Sequence, residues 1–322
     1  MIAREVDAAA ARLRGRLAPT PLVPSEWLST RLGREVLLKL ENVQPTGSFK
    51  VRGAWNRMLA LDGDQRTRGV VAASSGNHGL AVAHVANKLG VRAEVCVPET
   101  TPPAKRAAIA ALGATVQVVG DDCVVTERHA RAVAGRTGAV YLSPYNDLLV
   151  AAGQGTVAVE LLAQRPDLAA VVVAVGGGGL VGGIGGWLHQ HAPAVRVLGV
   201  SPEASPAMDE CVRAGRVVDV PCGPTWSDST AGGVEEGAVT FELCRDFVHE
   251  WLRVDEEAIG SALVDLLRHQ HLLVEGAAAL AVAGLLRAPA LPDGPVAVVV
   301  CGANLPFDLL LRALDRHGRP AT

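Results

Sequence analysis

Short apolar runs alternate with longer amphipathic stretches along most of the chain. The runs predicted as strands are rich in Val, Leu and Ala and cover residues 35–40, 69–73, 92–97, 115–119, 140–142, 170–175, 195–200 and 296–300. The stretches predicted as helices cover residues 80–89, 102–112, 124–136, 150–164, 182–191, 208–214, 239–248, 256–268 and 277–286, with further helical segments before residue 35, over 51–61 and after residue 304. Strands that alternate with helices in this way form mostly parallel sheets covered on both faces. Eight strands are more than one doubly wound sheet comfortably holds, which predicts two α/β units with a cleft between them.

The composition is that of an ordinary soluble globular protein, with 49% hydrophobic and 20% charged residues in a chain of 322. A net charge of −3 without a basic run predicts no nucleic-acid partner. The six cysteines form no CxxC pair, which argues against a zinc site or a disulfide framework and favours a reducing cytoplasm. The uncharged stretch 168–188 is long enough to span a bilayer, but it contains eight glycines. A buried strand that runs into a glycine loop explains it better, so no membrane association is expected.

Lys50 is the first candidate for chemistry. The chain has only four lysines against a large excess of arginine, and a lysine amine can lose its proton near neutral pH and form a Schiff base with a carbonyl. Lys50 follows a Gly-Ser turn and opens an apolar-periodic segment. Ser48 is therefore a candidate helix N-cap, and the helix dipole would lower the pKa of Lys50. A surface lysine in a loop is the alternative at this point.

Two loops that follow predicted strands are suited to bind anions, because ligands of such sheets bind beyond the carboxyl ends of the strands. Residues 74–78, Ser-Ser-Gly-Asn-His, offer hydroxyls, an amide and backbone N–H groups to a carboxylate, with an ordinary capped turn as the alternative. The four glycines 176–179 allow backbone N–H groups to point together at a phosphate. Residues 177–182 also fit GxGxxG, with Glu203 some twenty residues later, as in a dinucleotide-binding dehydrogenase.

Two further loops carry a thiol and a pair of acids. Residues 301–304, Cys-Gly-Ala-Asn, follow the last predicted strand, where Cys301 either faces a ligand ring or is a buried core residue. Glu203 and Asp209 flank a short turn whose carbonyls can join them around a hard cation, and a solvated surface pair is the alternative.

Taken together, these segments resemble the serine/threonine dehydratase and serine racemase family of fold-type-II pyridoxal 5′-phosphate enzymes. The matching stretches are residues 41–54, 74–79, 152–156, 176–180, 275–277 and 301–304, in the family's order over nearly the whole chain. The resemblance implies an α/β fold with two doubly wound, mostly parallel sheets and the cofactor in the cleft between them. Residues 1–52 and 147–322 would form the large cofactor-binding domain, and residues 53–146 the small domain.

The resemblance also implies a role for each matching residue. Lys50 would carry the cofactor as a Schiff base and, once freed, remove the α-proton, while Ser75 matches the serine that serves the opposite face of the α-carbon in racemases. The implied cofactor contacts are Phe49 beside the ring, Asn77 on the ring oxygen, Cys301 at the pyridine nitrogen, and Gly176, Gly177, Gly178, Gly179 and Leu180 on the phosphate. The implied contacts of the substrate carboxylate are Ser74, Ser75, Asn77 and His78. Glu203, the Ala207 carbonyl and Asp209 match the family's site for Mg²⁺, Ca²⁺ or Mn²⁺ in spacing.

The expected function is that of a cytoplasmic, homodimeric, pyridoxal-phosphate-dependent dehydratase (ammonia-lyase), most simply of L-threonine and L-serine. A thiol beside the pyridine nitrogen makes a weaker electron sink than an aspartate, which favours β-elimination over transamination. The alternatives are a serine racemase, a dehydratase of a bulkier hydroxy amino acid of the hydroxyectoine-derived or phenylserine type, and, more distantly, a nicotinamide-dependent dehydrogenase. Many family members have Ala-Asp-Gly where this chain has Ala231-Gly232-Gly233, so the glycine-rich segment 229–237 leaves room for a larger substrate.

Overall fold

The computed structural model describes residues 1–318. Its strands are β1 (Leu22–Pro24), β2 (Val36–Leu40), β3 (Val70–Ala73), β4 (Ala93–Val97), β5 (Thr115–Val118), β6 (Val140–Tyr141), β7 (Ala170–Ala174), β8 (Arg196–Pro202), β9 (Glu250–Val254) and β10 (Val296–Val300). Its helices are α1 (Ile2–Leu13), α2 (Glu26–Leu32), α3 (Lys50–Leu59), α4 (Gly63–Arg68), α5 (Asn77–Leu89), α6 (Pro103–Ala111), α7 (Cys123–Thr137), α8 (Leu148–Gln164), α9 (Gly179–His191), α10 (Ala207–Ala214), α11 (Val239–Phe247), α12 (Glu256–Gln270), α13 (Gly276–Arg287) and α14 (Phe307–His317).

The strands form two sheets, as the count of strands predicted. The six-stranded sheet has the order β1-β2-β10-β7-β8-β9, and the four-stranded sheet has the order β5-β4-β3-β6. Every pairing is parallel except that of the short edge strand β1 with β2. The predicted fold of two mostly parallel sheets is therefore confirmed. All strands of the smaller sheet lie within residues 53–146. The predicted domain boundary at residue 52 falls inside α3, and the exact domain limits stay a prediction.

The central strands are buried on both faces, which explains their continuous apolar sequences. All five residues of β2, β7 and β10 are buried in the larger sheet. In the smaller sheet, Val70 and Ala72 of β3 pack into one core cluster and Val71 into another, because successive side chains of a strand point to opposite faces. The uncharged stretch 168–188 consists of β7, the glycine loop and most of α9. Of the helices within residues 1–318, none is both long and apolar enough to cross a membrane.

Three details differ from the sequence prediction. The strands β1 and β9 and the helix α4 were not predicted; β1 has three residues, and β9 (Glu-Trp-Leu-Arg-Val) carries charges because it is an edge strand. Helix α9 begins at Gly179, three residues earlier than predicted. Ser48 does not cap α3, because it forms an antiparallel β-bridge with Gly302, and Phe49 is the residue that precedes the helix.

Candidate active site

The loops that follow β3, β7 and β10 line one cavity of about 410 Å³. The segment before α3 and the turn around Tyr145 complete its wall. The cavity brings together all the residues predicted to bind the cofactor or the substrate: Phe49, Lys50, Ser74, Ser75, Asn77, His78, Gly176, Gly177, Gly178, Gly179, Leu180 and Cys301. Residues far apart in sequence therefore meet at the carboxyl ends of the strands, as expected of an open α/β sheet.

Lys50 is the first residue of α3, and its amine points into the cavity. Its Nζ donates a hydrogen bond to the Pro144 carbonyl at 2.9 Å and lies 5.2 Å from the centre of the Phe49 ring. Burial lowers the pKa of Lys50 to about 8, although the nearby Glu275 and Cys301 act in the opposite direction. The pKa of Lys50 is lowered as predicted, but the main cause is the loss of water around the amine rather than a capped helix start.

The glycine loop brings free backbone N–H groups to the cavity. Gly178 has φ 82°, and the next residue begins α9, whose first N–H groups have no partner inside the helix. A Cβ on Gly177 would clash with the Tyr145 ring, so a larger residue cannot replace it without moving that ring. This helix start suits a phosphate group, because its N–H groups and its dipole both favour negative charge.

Glu275 is a buried acid of the site to which the sequence analysis assigned no role. Both of its carboxylate oxygens accept from Asn77 Nδ2 at 2.9 Å, and Oε1 also accepts from Ser229 Oγ at 3.1 Å. The Oδ1 of Asn77 accepts in turn from Asn304 Nδ2 at 2.6 Å. Burial raises the pKa of Glu275, although the hydrogen bonds from Asn77 and Ser229 partly oppose this. The amide of Asn77 is therefore held in one orientation in the cavity that Lys50 also lines.

A sequence signal for Glu275 did exist. It is the only charged side chain between His271 and Arg287, in a stretch otherwise made of Leu, Val, Ala and Gly. A single acid in such a stretch is rarely buried without a specific partner.

Cys301 and His78 are both neutral under ordinary conditions. Burial, supported by the neighbouring Glu275, raises the pKa of the Cys301 thiol well above its ordinary value of 9.0. Burial, followed by the charge of Lys50, lowers the pKa of His78 to about 3. The Nε2 of His78 lies 2.9 Å from the Leu142 carbonyl, which can only accept, so we assign the proton to Nε2. The imidazole then has only an acceptor left at Nδ1, and a carboxylate would have to bind the backbone N–H of His78 instead.

The three residues predicted to bind a divalent cation lie outside this cavity, and their surroundings do not fit that ion. Asp209 is fully buried, and its oxygens accept from Arg213 and Arg253 at 2.7 and 2.6 Å. Ala207 begins α10, and Glu203 is exposed. Within residues 1–318, no group of three or more His, Cys, Asp or Glu side chains is arranged to hold a metal ion. The predicted cation site thus disagrees with the ion pairs of Asp209.

A buried amine with a lowered pKa shares one cavity with a glycine loop at a helix start, an arrangement suited to an enzyme that holds a phosphorylated carbonyl compound. The chain belongs to the family of pyridoxal-phosphate dependent enzymes, whose sequence pattern matches residues 13–302. The predicted resemblance is thereby confirmed, and the alternative of a nicotinamide-dependent dehydrogenase is dropped. The residues present fit the cofactor: the Lys50 amine would bind its carbonyl carbon, and the N–H groups of 176–180 would bind its phosphate.

Similar proteins include several named for threonine or serine chemistry. The chain is 38% identical to a protein named L-threonine ammonia-lyase from Thermotoga maritima, over 97% of this chain and 78% of that protein. Among solved structures, a threonine deaminase from the organism abbreviated T.th. is similar with a TM-score of 0.88 and 38% identity, covering 94% of this chain and 98% of that one. A maize serine racemase is similar with a TM-score of 0.91 and 28% identity, covering 98% of this chain and 97% of that one.

We predict that Glu275 keeps the Asn77 amide oriented for the cofactor. Glu275→Ala leaves Asn77 Nδ2 without its acceptor in a buried site and is expected to cost about 1–3 kcal/mol of stability. The apparent Kd for pyridoxal phosphate, measured by titration of the apoprotein, should rise in parallel. Glu275→Gln is the matched control, because it keeps one acceptor oxygen and resembles the protonated acid. A Gln variant as damaged as the Ala variant would show that the negative charge itself is required.

Proposed function

We propose that this protein is a pyridoxal-phosphate-dependent ammonia-lyase that converts L-threonine and L-serine to the corresponding 2-oxo acid and ammonia. The observation that carries the proposal is the Lys50 amine, with a pKa of about 8, in one cavity with the glycine loop and a neutral thiol. A lysine of lowered pKa can act as a base near neutral pH. The similarity to proteins named L-threonine ammonia-lyase and threonine deaminase supports the same reaction class.

Different residues of the cavity would have different roles in this reaction. Bound pyridoxal phosphate supplies the electron sink that makes loss of an α-proton feasible near neutral pH. Lys50 would take that proton, because its amine is neutral in a useful fraction of molecules. The Cys301 thiol is neutral, so it would not act on the bound cofactor as a negatively charged carboxylate would. The N–H groups at the start of α5 and the hydroxyls of Ser74 and Ser75 would hold the substrate carboxylate.

A panel of hydroxy amino acids tests the proposal. The cofactor-loaded protein is incubated with L-threonine, L-serine, their D forms and L-threo-phenylserine, and the 2-oxo acid released is measured with stoichiometric ammonia. We expect release from L-threonine and L-serine. The open space beside Gly232 and Gly233, where a Cβ would meet no atom within 4 Å, is the reason to include the bulkier substrate. No 2-oxo acid from any member of the panel would reject the lyase assignment.

Racemisation is a second candidate activity, because Ser75 lines the cavity and a maize serine racemase has a closely similar fold. A racemase needs a proton donor on the face of the α-carbon opposite the lysine, and Ser75 would supply it. We predict that Ser75→Ala lowers D-serine formation from L-serine by about 10²-fold or more, while pyruvate release falls far less. Chiral chromatography and pyruvate release measure both products in one reaction. Equal losses of both products would show that Ser75 acts in substrate binding rather than in racemisation.

We also propose that the protein is a cytoplasmic homodimer. Analytical ultracentrifugation of the cofactor-loaded protein measures its oligomeric state directly. A sedimentation mass equal to one chain at micromolar concentration would reject the dimer.

A further inference from the structure

The first turn of α10 contains a buried acid whose negative charge is already balanced by arginines. Asp209 is fully buried, and each of its oxygens accepts from a different guanidinium: Oδ1 from Arg213 Nε at 2.7 Å and Oδ2 from Arg253 Nε at 2.6 Å. The Nη2 of Arg253 also lies 2.7 Å from Glu210 Oε1. Two acids and two arginines therefore neutralise one another at this turn.

Arg253 reaches the turn from the neighbouring strand. It lies near the end of β9, opposite Ser201 of β8, and its side chain extends to the first turn of α10. A backbone hydrogen bond also links the ends of β8 and β9, because Glu203 N donates to the Val254 carbonyl at 2.9 Å. A divalent cation bound by Glu203 and Asp209 would join the same strand end to the same helix.

This turn supports two loops that line the active-site cavity. The Cε of Met208 lies 3.0 Å from the position that a Cβ would take on Gly178, so α10 packs directly against the glycine loop. The Oγ of Ser205 accepts from the backbone N–H of Gly232 at 3.2 Å. A displacement of the turn would therefore be transmitted to the phosphate-binding loop.

We propose that the Arg253 guanidinium takes the place of the divalent cation that was predicted at Glu203, Ala207 and Asp209. A buried carboxylate needs a compensating positive charge, and both oxygens of Asp209 already have one. A divalent cation at the same place would lie against two guanidinium groups, and charge repulsion would oppose its binding. Arg253 is thus a positioning residue for the glycine loop, and the protein needs no divalent cation at this turn.

The melting temperature of the cofactor-loaded protein tests this directly and does not depend on which amino acid is the substrate. The wild type should have the same Tm in EDTA and in millimolar Mg²⁺, Ca²⁺ or Mn²⁺. Arg253→Ala should lower the Tm by about 5 °C or more. Millimolar Mn²⁺ should restore part of that loss, because Asp209 and Glu210 then face one positive charge fewer. Arg196→Ala is the matched control, since Arg196 faces Glu250 across the same two strands at a more exposed place.

Three results would overturn the proposal. The first is a wild-type Tm that rises with a divalent cation or falls in EDTA. The second is an Arg253→Ala variant with the Tm of Arg196→Ala. The third is an Arg253→Ala variant that is destabilised but does not respond to Mn²⁺, since Arg253 would then be a structural ion pair only. If Arg253→Ala does not fold, Arg253→Gln replaces it, because glutamine keeps most of the side-chain length without the charge. The proposal then requires that millimolar Mn²⁺ raise the Tm of Arg253→Gln.

Discussion

Replacement of Lys50 by alanine should lower kcat/KM for L-threonine by about 10⁴-fold or more, because the site loses both its cofactor anchor and its base. Lys50→Arg should be equally inactive, since a guanidinium keeps the positive charge but does not lose its proton near neutral pH. The visible absorption of bound cofactor that resists dialysis should disappear in both variants. Lys88→Ala, on the exposed side of α5, controls for the loss of a lysine elsewhere.

The lowered pKa of Lys50 gives the same prediction a pH dependence. The neutral amine is the reactive form, so the rate at which the apoprotein captures pyridoxal phosphate should rise with pH and reach half its maximum near pH 8. An ordinary lysine, with a pKa of 10.5, would have roughly 300-fold less neutral amine at pH 7. Stopped-flow absorbance measures this rate. A midpoint near 10.5, or a Lys50→Arg variant with a tenth of the wild-type activity, would contradict the role of Lys50.

The residues that carry short, local signals were predictable from sequence. Lys50 after the Gly-Ser turn, the glycines 176–179 and the loop 74–78 each lie where a strand or turn meets a helix, and the structure brings them into one cavity. Their meeting follows from the parallel arrangement of the strands, because all carboxyl ends of a parallel sheet lie on the same edge.

The contacts that connect distant segments were not predictable. Asn77 and Glu275 lie 198 residues apart, and no periodicity links them. Ser48 is a residue type that often caps helices, but it does not cap α3 because it forms a β-bridge with Gly302. The ion pairs of Asp209 could not be predicted either, because Arg253 belongs to β9, a strand of mixed sequence that was not predicted. Each of these contacts depends on how distant segments of the chain pack together.

Arg52→Ala should be strongly destabilising, although Arg52 lies outside the cavity. Arg52 is buried in α3 and binds two carboxylates: Glu41 at 2.7 Å through Nε and Nη2, and Glu160 at 2.6 and 2.9 Å through Nη1 and Nη2. Lys39 also pairs with Glu160, so the buried cluster contains two positive and two negative charges. Removal of Arg52 leaves one buried negative charge uncompensated, which is expected to cost about 3–5 kcal/mol.

Chemical denaturation at pH 7 measures this loss. Arg165→Ala is the control, because Arg165 also binds two acids, Glu35 and Asp167, but at the surface, where water replaces the lost partner. Arg52→Lys should recover only part of the stability, since an ammonium cannot bind both carboxylates through a planar fork. A loss in Arg52→Ala no greater than that in Arg165→Ala would show that the buried cluster relaxes or admits water.

The same cluster should make stability depend on pH in the acid range. Burial alone would raise the pKa of Glu41, but the charge and hydrogen bonds of Arg52 outweigh it and leave the pKa below its ordinary value of 4.5. A carboxyl group with a lower pKa in the folded state contributes stability above its unfolded pKa, and this stability is lost as the pH falls through the folded value. Unfolding free energies of the wild type should therefore decline below about pH 4.5, and Arg52→Ala should show a shallower decline because Glu41 has lost the partner that lowers its pKa. Parallel declines in the two proteins would assign the acid sensitivity to other carboxylates.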